Sequence, residues 1–211
     1  MINFFKNIKR KIRITINKIG AKRRAKKISK NYTLISNNCW GGLTYEYLGQ
    51  EFKSPTIGLY FMSDEYLKFI SNLKYYIAQN LKFIDTSKSR YYNYLKSIKQ
   101  EKVIIGVLDD VEIVFLHYKN AEEAYEKWNK RVKRIDFDNI IYKFNDQNLC
   151  TVENLEKFSK MNLKNKICFT AKKYNYDGFI QIVKYRNCDF VKDDAYSYHR
   201  YFDVIDYINS R

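Results

Sequence analysis

Short apolar runs recur along this chain with helical stretches between them, and that alternation narrows the fold more than any other feature. Residues 32–36, 56–61, 103–107, 112–117, 139–144, 166–170 and 179–183 have strand length and turn or polar flanks. Between them the spacing predicts helices over residues 43–49, 63–80, 121–134 and 151–161. Ser63 reads as an N-cap with Asp64 and Glu65 in the first turn. Leu67, Ile70, Leu73 and Ile77 supply the inner stripe of that helix. In the helix over 121–134, Ala121, Tyr125, Trp128 and Val132 form the expected inner stripe, and Glu123/Lys127 and Glu126/Lys130 are i,i+4 pairs. Residues 85–100 are polar and tyrosine-rich, suited to a flap or a further helix. Strands alternating with helices imply an α/β fold: a mainly parallel, Rossmann-like sheet with helices on both faces. With one proline and 7 glycines there is little room for flexible linkers, so residues 31–211 are expected to form a single domain.

Charge divides the chain differently. Residues 1–30 carry twelve lysines and arginines and no acid, out of a formal net charge of +16, which leaves +4 for residues 31–211. Ile2, Phe5, Ile8, Ile12, Ile16 and Ile19 recur at intervals of three and four, the period of one helical face. The first 30 residues are therefore expected to be a basic amphipathic helical extension lying on an anionic membrane surface. The competing expectations are a helix docked on its own domain or a disordered arm. Nucleic acid is the less favoured partner, because it calls for cations dispersed over a folded face among aromatics. No run of 18 apolar residues exists and no secretory signal is recognised, so a cytoplasmic protein, peripheral to the inner face of the membrane, is expected. Cys39, Cys150, Cys168 and Cys188 have no CxxC spacing, which argues against zinc and against a disulfide framework.

The segment Ile35-Ser36-Asn37-Asn38-Cys39-Trp40-Gly41-Gly42 joins the first strand to the first helix, where open α/β sheets bind ligands. Gly41 and Gly42 would permit a tight turn and close approach of a ligand. Cys39 near a helix N-terminus would have a lowered pKa. It reads as an acyl-carrying nucleophile, as part of an oxyanion loop with Asn37, Asn38 and Trp40, or as a small buried residue. His117, at the end of a strand, is a candidate general base or a loop hydrogen-bonder. His199 reads as structural or as a rim contact. Asp109 and Asp110 are weak candidates for a divalent ion, a simple turn being the alternative. Arg131 and Arg134 follow Trp128 on one helix and could clamp a phosphate or face solvent. Neither GxGxxG nor the Walker pattern is present, so neither a dinucleotide nor ATP is expected.

The strings ISNNCWGG, SPTIGLYF, FLHY, EKWNKRVKRIDFDNI and KICFTAKKY, in that order from Asn31 to Tyr207, resemble a bacterial domain-of-unknown-function family labelled exopolysaccharide biosynthesis protein. The family's motif positions fall on Asn37, Asn38, Cys39, Trp40, Gly41, Gly42, Ser54, Pro55, His117, Tyr118, Trp128, Arg131 and Arg134. The resemblance implies a cytoplasmic α/β domain of capsule or exopolysaccharide synthesis. The Asn-Cys loop is also similar to one in CoA-binding capsule enzymes thought to be acyltransferases. What these resemblances imply is an acyltransferase-like enzyme acting on a sugar or lipid-linked sugar, with CoA or acetyl-CoA as donor. Cys39 and His117 would do the chemistry, and Arg131, Arg134, Tyr118 and Trp128 would bind phosphate or substrate. A sugar-nucleotide-dependent glycosyltransferase and a non-enzymatic accessory protein are the alternatives.

Overall fold

A computed structural model describes residues 20–211. The expected apolar stripe from Ile2 to Ile19 lies outside the described residues. Residues 20–25 are helical.

Four strands form a wholly parallel sheet: β1 (Thr33–Ser36), β5 (Ile140–Asn145), β6 (Lys166–Thr170) and β7 (Phe179–Gln181), adjacent in that order. Side-chain alternation sends Leu34, Ile141, Ile167 and Phe169 to one face and Ile35, Phe144 and Cys168 to the other. Both faces are apolar because both are covered, as a parallel sheet requires. Helix α1 (Trp40–Leu48), α7 (Asp194–Ser197) and α8 (Val204–Asn209) cover the first face, contributing Trp40, Tyr45, Leu48, Val204 and Ile208. On the second face lie α2 (Ser63–Ser71), α3 (Leu73–Ala78), α5 (Ala121–Val132) and α6 (Val152–Lys160).

The predicted strands at 103–107 and 112–117 do not join the parallel sheet. They are β3 (Ile104–Leu108) and β4 (Val111–Phe115), an antiparallel hairpin extended by β2 (Lys82–Ile84) into a separate three-stranded sheet. The two-residue turn Asp109-Asp110 dictates this, since parallel neighbours need a long crossover. Asp109 takes the left-handed conformation at φ 53°, which an aspartate tolerates. One face of this sheet packs with α2, α3 and α5; the other buries Ile105 and Val114 against Leu95 of α4 (Tyr92–Ser97), so the segment 85–100 is partly helical.

Residues 56–61 are not a strand. They cross between the two sheets, with Phe61 N–H donating to Asn37 O and Tyr60 bridging Val114. The helix expected over 63–80 breaks at Asn72, whose φ −143°, ψ 59° is not helical. Ser63 is inside the helix; its hydroxyl donates to Gln147 O at 2.9 Å instead of capping. In α5 Trp128 is buried and Val132 packs on the core as expected, but Tyr125 is 42% exposed and Ala124 takes its place in the inner stripe. Asn120 caps this helix, accepting from Glu123 N–H. Thr151 and Asn154 form a capping box on α6.

Candidate functional site

The chain leaves β1 and β5 at the same end of the sheet, and the polar residues that follow both strands converge there. After β1 come Asn37, Asn38 and Cys39; after Phe144 come Asn145, Asp146, Gln147 and Asn148. Between them they build a cleft of about 280 Å³ lined by Asn38, Cys39, Trp40, Tyr60, Gln100, Leu116, Gln147 and Asn148, with the start of α7 as its remaining wall.

Under this cleft lies a buried ion pair that the sequence did not disclose. Lys143 sits on the same face of β5 as Ile141, where another apolar side chain would be expected. It is 0% exposed and donates to Asp194, itself 2% exposed, and to Asn38 Oδ1 at 2.9 Å and Asn37 Oδ1 at 3.3 Å. All three ammonium protons have acceptors. The rings of Trp40 and Phe169 lie 5.9 and 5.7 Å from Nζ, within cation–π reach. Burial pulls the ammonium below the ordinary lysine value, and Asp194 opposes that pull. Asp194 also accepts from Asn145 Nδ2 at 2.7 Å and from Asn38 Nδ2 at 3.1 Å.

Amides extend the network outward. Asn37 donates to Asn145 Oδ1 at 2.7 Å, and Gln147 Oε1 accepts from Asn38 and Asn145. Asp146 holds the opposite wall, its carboxylate accepting from Val191 N–H at 2.8 Å and Ala171 N–H at 2.6 Å. Burial nevertheless raises its pKa. Asn148 and Leu149 both take positive φ, 56° and 62°. Two successive non-glycine residues in the left-handed region are uncommon, and such strain gathers at sites that do work.

Of the expected ligand loop, Asn38, Cys39 and Trp40 border the cleft, whereas Asn37 is fully buried beneath it with its amide engaged by Asn145 and Lys143. Cys39 is not activated. Burial and then the Asp194 carboxylate push its thiol up to about 11, outweighing Lys143. Its Sγ faces Leu59 O at 3.9 Å. Gly41 and Gly42 serve packing, not ligand approach. They lie inside α1, where a Cβ would come within 3.1 Å of Ser36 Cβ and Ile57 Cγ2 respectively. His117 follows Leu116, which lines the cleft; it lies in the turn after β4, is exposed and is not among the lining residues. Its backbone N–H donates to Gly58 O.

The arginines clamp protein. Arg131 donates to Tyr118 Oη at 2.7 Å and to Ile57 O at 3.4 Å, and covers the Phe52 ring at 5.2 Å. Arg134 donates to Phe52 O at 3.1 Å and pairs with Glu51 at 2.7 Å. Tyr118 donates to Ile57 O. Trp128 is buried against Phe69 and Phe115. These four residues fix the 51–57 segment and the core rather than facing the cleft. The Asp109 and Asp110 carboxylates accept from Tyr75, Tyr76 and Lys68 at 2.7–2.9 Å, the simple-turn alternative. His199 stacks on Tyr47 and Tyr198. A second concavity, on the outer face of α6 between Glu153, Glu156, Lys157 and Lys160, is the solvated side of one helix.

The fold and the cleft define a Rossmann-like α/β domain whose convergent polar groups lie at the carboxyl ends of parallel strands. The chain belongs to the family described as Domain of unknown function (DUF1919), which it matches over residues 9–209. An uncharacterized protein of Haemophilus influenzae is 30% identical over 208 residues, covering 94% of this chain and 95% of that protein.

Proposed function

We propose that this protein is an acyltransferase-like enzyme of surface-polysaccharide synthesis, binding a sugar unit in the cleft between the ends of β1 and β5. The observation that carries the reading is the cleft's floor: a buried carboxylate, Asp194, held by Lys143, Asn38 and Asn145. Acyl transfer from a thioester to a sugar hydroxyl forms a C–O bond and breaks a C–S bond. The hydroxyl proton passes to a base and ends on the departing thiol. Asp194 suits that base better than the exposed His117. An ionised carboxylate has about four lone-pair sites, and among the described residues Oδ1 accepts only from Asn38. Cys39, a neutral thiol at pH 7, fits a wall contact and not an acyl carrier.

A metal-assisted glycosyltransferase is less well supported, because the turn of Asp109 and Asp110 lies outside the cleft lining and its carboxylates are engaged by Tyr75, Tyr76 and Lys68. The reading includes a membrane-bound acceptor, with the basic first 30 residues holding the enzyme beside it. Calorimetry on the full chain with CoA, acetyl-CoA and a set of sugar nucleotides, with and without manganese, tests the proposal. Binding of acetyl-CoA is expected. Manganese-dependent binding of a sugar nucleotide alone would make the glycosyltransferase the better reading. Silence from every ligand would favour an accessory protein.

A further inference from the structure

The cleft's charge says which part of a substrate it accepts. Four of its lining side chains are neutral amides: Asn38, Gln100, Gln147 and Asn148. Its charged lining is Lys192, Asp193 and Asp194, with no arginine. Lys143 beneath is already matched by Asp194. Two ammoniums against two carboxylates leave no positive excess, and the buried charge nearest the floor surface is a carboxylate. A phosphate entering here would meet the Asp194 carboxylate with no arginine fork, and the one exposed ammonium in the lining, Lys192, is set against both Asp193 and Asp194, an arrangement that disfavours anions.

Neutral hydroxyls find the opposite. Carboxylate and amide oxygens accept from them, and amide N–H groups donate to them. Gln100 is poised for this, because its Oε1 is taken by Tyr60 Oη at 2.6 Å, which fixes the amide and leaves its Nε2 as the donating end. Tyr60 adds an aromatic ring to the lining. Size agrees: about 280 Å³ accommodates one sugar ring.

We infer that the cleft is a subsite for a single uncharged pyranose, recognised by Asp194, Gln100 and Gln147, and that any phosphate of donor or acceptor lies outside it. This rests on the proposed action on sugars and narrows it. The test is saturation-transfer NMR on the full chain with methyl glycosides of glucose, galactose, rhamnose and N-acetylglucosamine. Inorganic pyrophosphate and UDP serve as competitors. At least one glycoside is expected to bind, neither competitor to displace it, and Gln100→Ala to weaken it about tenfold, the loss of one well-made hydrogen bond. Gln100 lies at the half-buried rim, outside the Lys143–Asp194 network, so this variant should keep its circular dichroism and melting temperature. Asp194→Asn, checked the same way, should abolish binding.

A silent glycoside panel, displacement by pyrophosphate or UDP, or unchanged affinity in Gln100→Ala would each overturn the inference. Glycoside binding without acetyl-CoA binding would leave it standing and remove the acyl-transfer reading. Acetyl-CoA binding without glycoside binding would do the reverse.

Discussion

Two residues, Lys143 and Cys39, show how far a sequence carries a site. Cys39 is conspicuous in the string after β1, and its position there is as expected; its ionisation is not, because the helix terminus is visible in sequence whereas the burial that opposes it is not. With the thiol raised to about 11, roughly one molecule in a thousand carries thiolate at pH 8. Alkylation of Cys39 by iodoacetamide, followed by peptide mass mapping, should therefore be slow at neutral pH and climb about tenfold per pH unit up to pH 10. A rate already at its plateau at pH 8 would show an activated nucleophile. Lys143 is hidden for another reason. A lysine in a strand reads as a solvated position until its partner is known, and Asp194 lies 51 residues away in a segment without apolar periodicity. Removing only the lysine leaves a buried carboxylate uncompensated, so Lys143→Met should cost about 3–5 kcal/mol in urea unfolding. The double variant Lys143→Met, Asp194→Leu should recover much of that loss. Costs that simply add would show that the two groups are not coupled.

Elements were legible where one local signal decided them. β6 spans the predicted residues, and α6 begins at the capping residues Thr151 and Asn154 within its predicted range. What stayed hidden was which strands share a sheet. Apolar content is alike in β4 and β5, and only the two-residue turn after β3 separates the antiparallel hairpin from the parallel sheet. Residues 56–61 carry strand composition, yet their bonds go to Asn37 and Val114 on two different sheets, a tertiary fact. The segment leading into α7 has no pattern at all, and a side chain holds it: Asp146 spans Val191 and Ala171 N–H. Asp146→Ala would orphan both donors, at about 1–3 kcal/mol each if they stay dry. Amide exchange at Val191 and Ala171 should accelerate well before the core amides of β5 and β6. Equal protection in the variant and the parent would mean that the wall is held by other contacts, Gln147 to Val191 O among them.

At the scale of the whole molecule, part of the basic extension belongs to the folded body. Residues 20–30 are docked on the body: Arg24 donates to Tyr47 O and covers its ring, Ser29 donates to Asn209, and Asn209 returns a bond to Lys27 O. Ala21, Arg24, Ala25 and Ile28 are half-buried, while Lys22, Arg23, Lys26, Lys27 and Lys30 are exposed. The segment therefore presents cations with no acid between them in sequence, continuous with the six cations of residues 1–19. No helix among the described residues is long and apolar enough to cross a membrane, so the proposed attachment to lipid is one of surface charge and a shallow apolar stripe. The informative truncation is then at residue 19. Removing residues 1–30 would also strip the cover from Tyr47 and Asn209 and confound binding with stability. Deleting residues 1–19 keeps that cover in place, and the melting temperature of the truncated chain, measured beside vesicle binding, separates a loss of stability from a loss of attachment. At about 1 kcal/mol per cation near an anionic leaflet, with part of that screened by salt, the deletion should weaken sedimentation with phosphatidylserine vesicles at least about a hundredfold. Changing Lys22, Arg23, Lys26 and Lys27 to glutamine in the truncated chain should remove the remaining salt-dependent binding, since those side chains point away from the docked face. A truncated protein that sediments as strongly as the full chain would sink the membrane proposal, and binding retained after the glutamine changes would assign it to another surface.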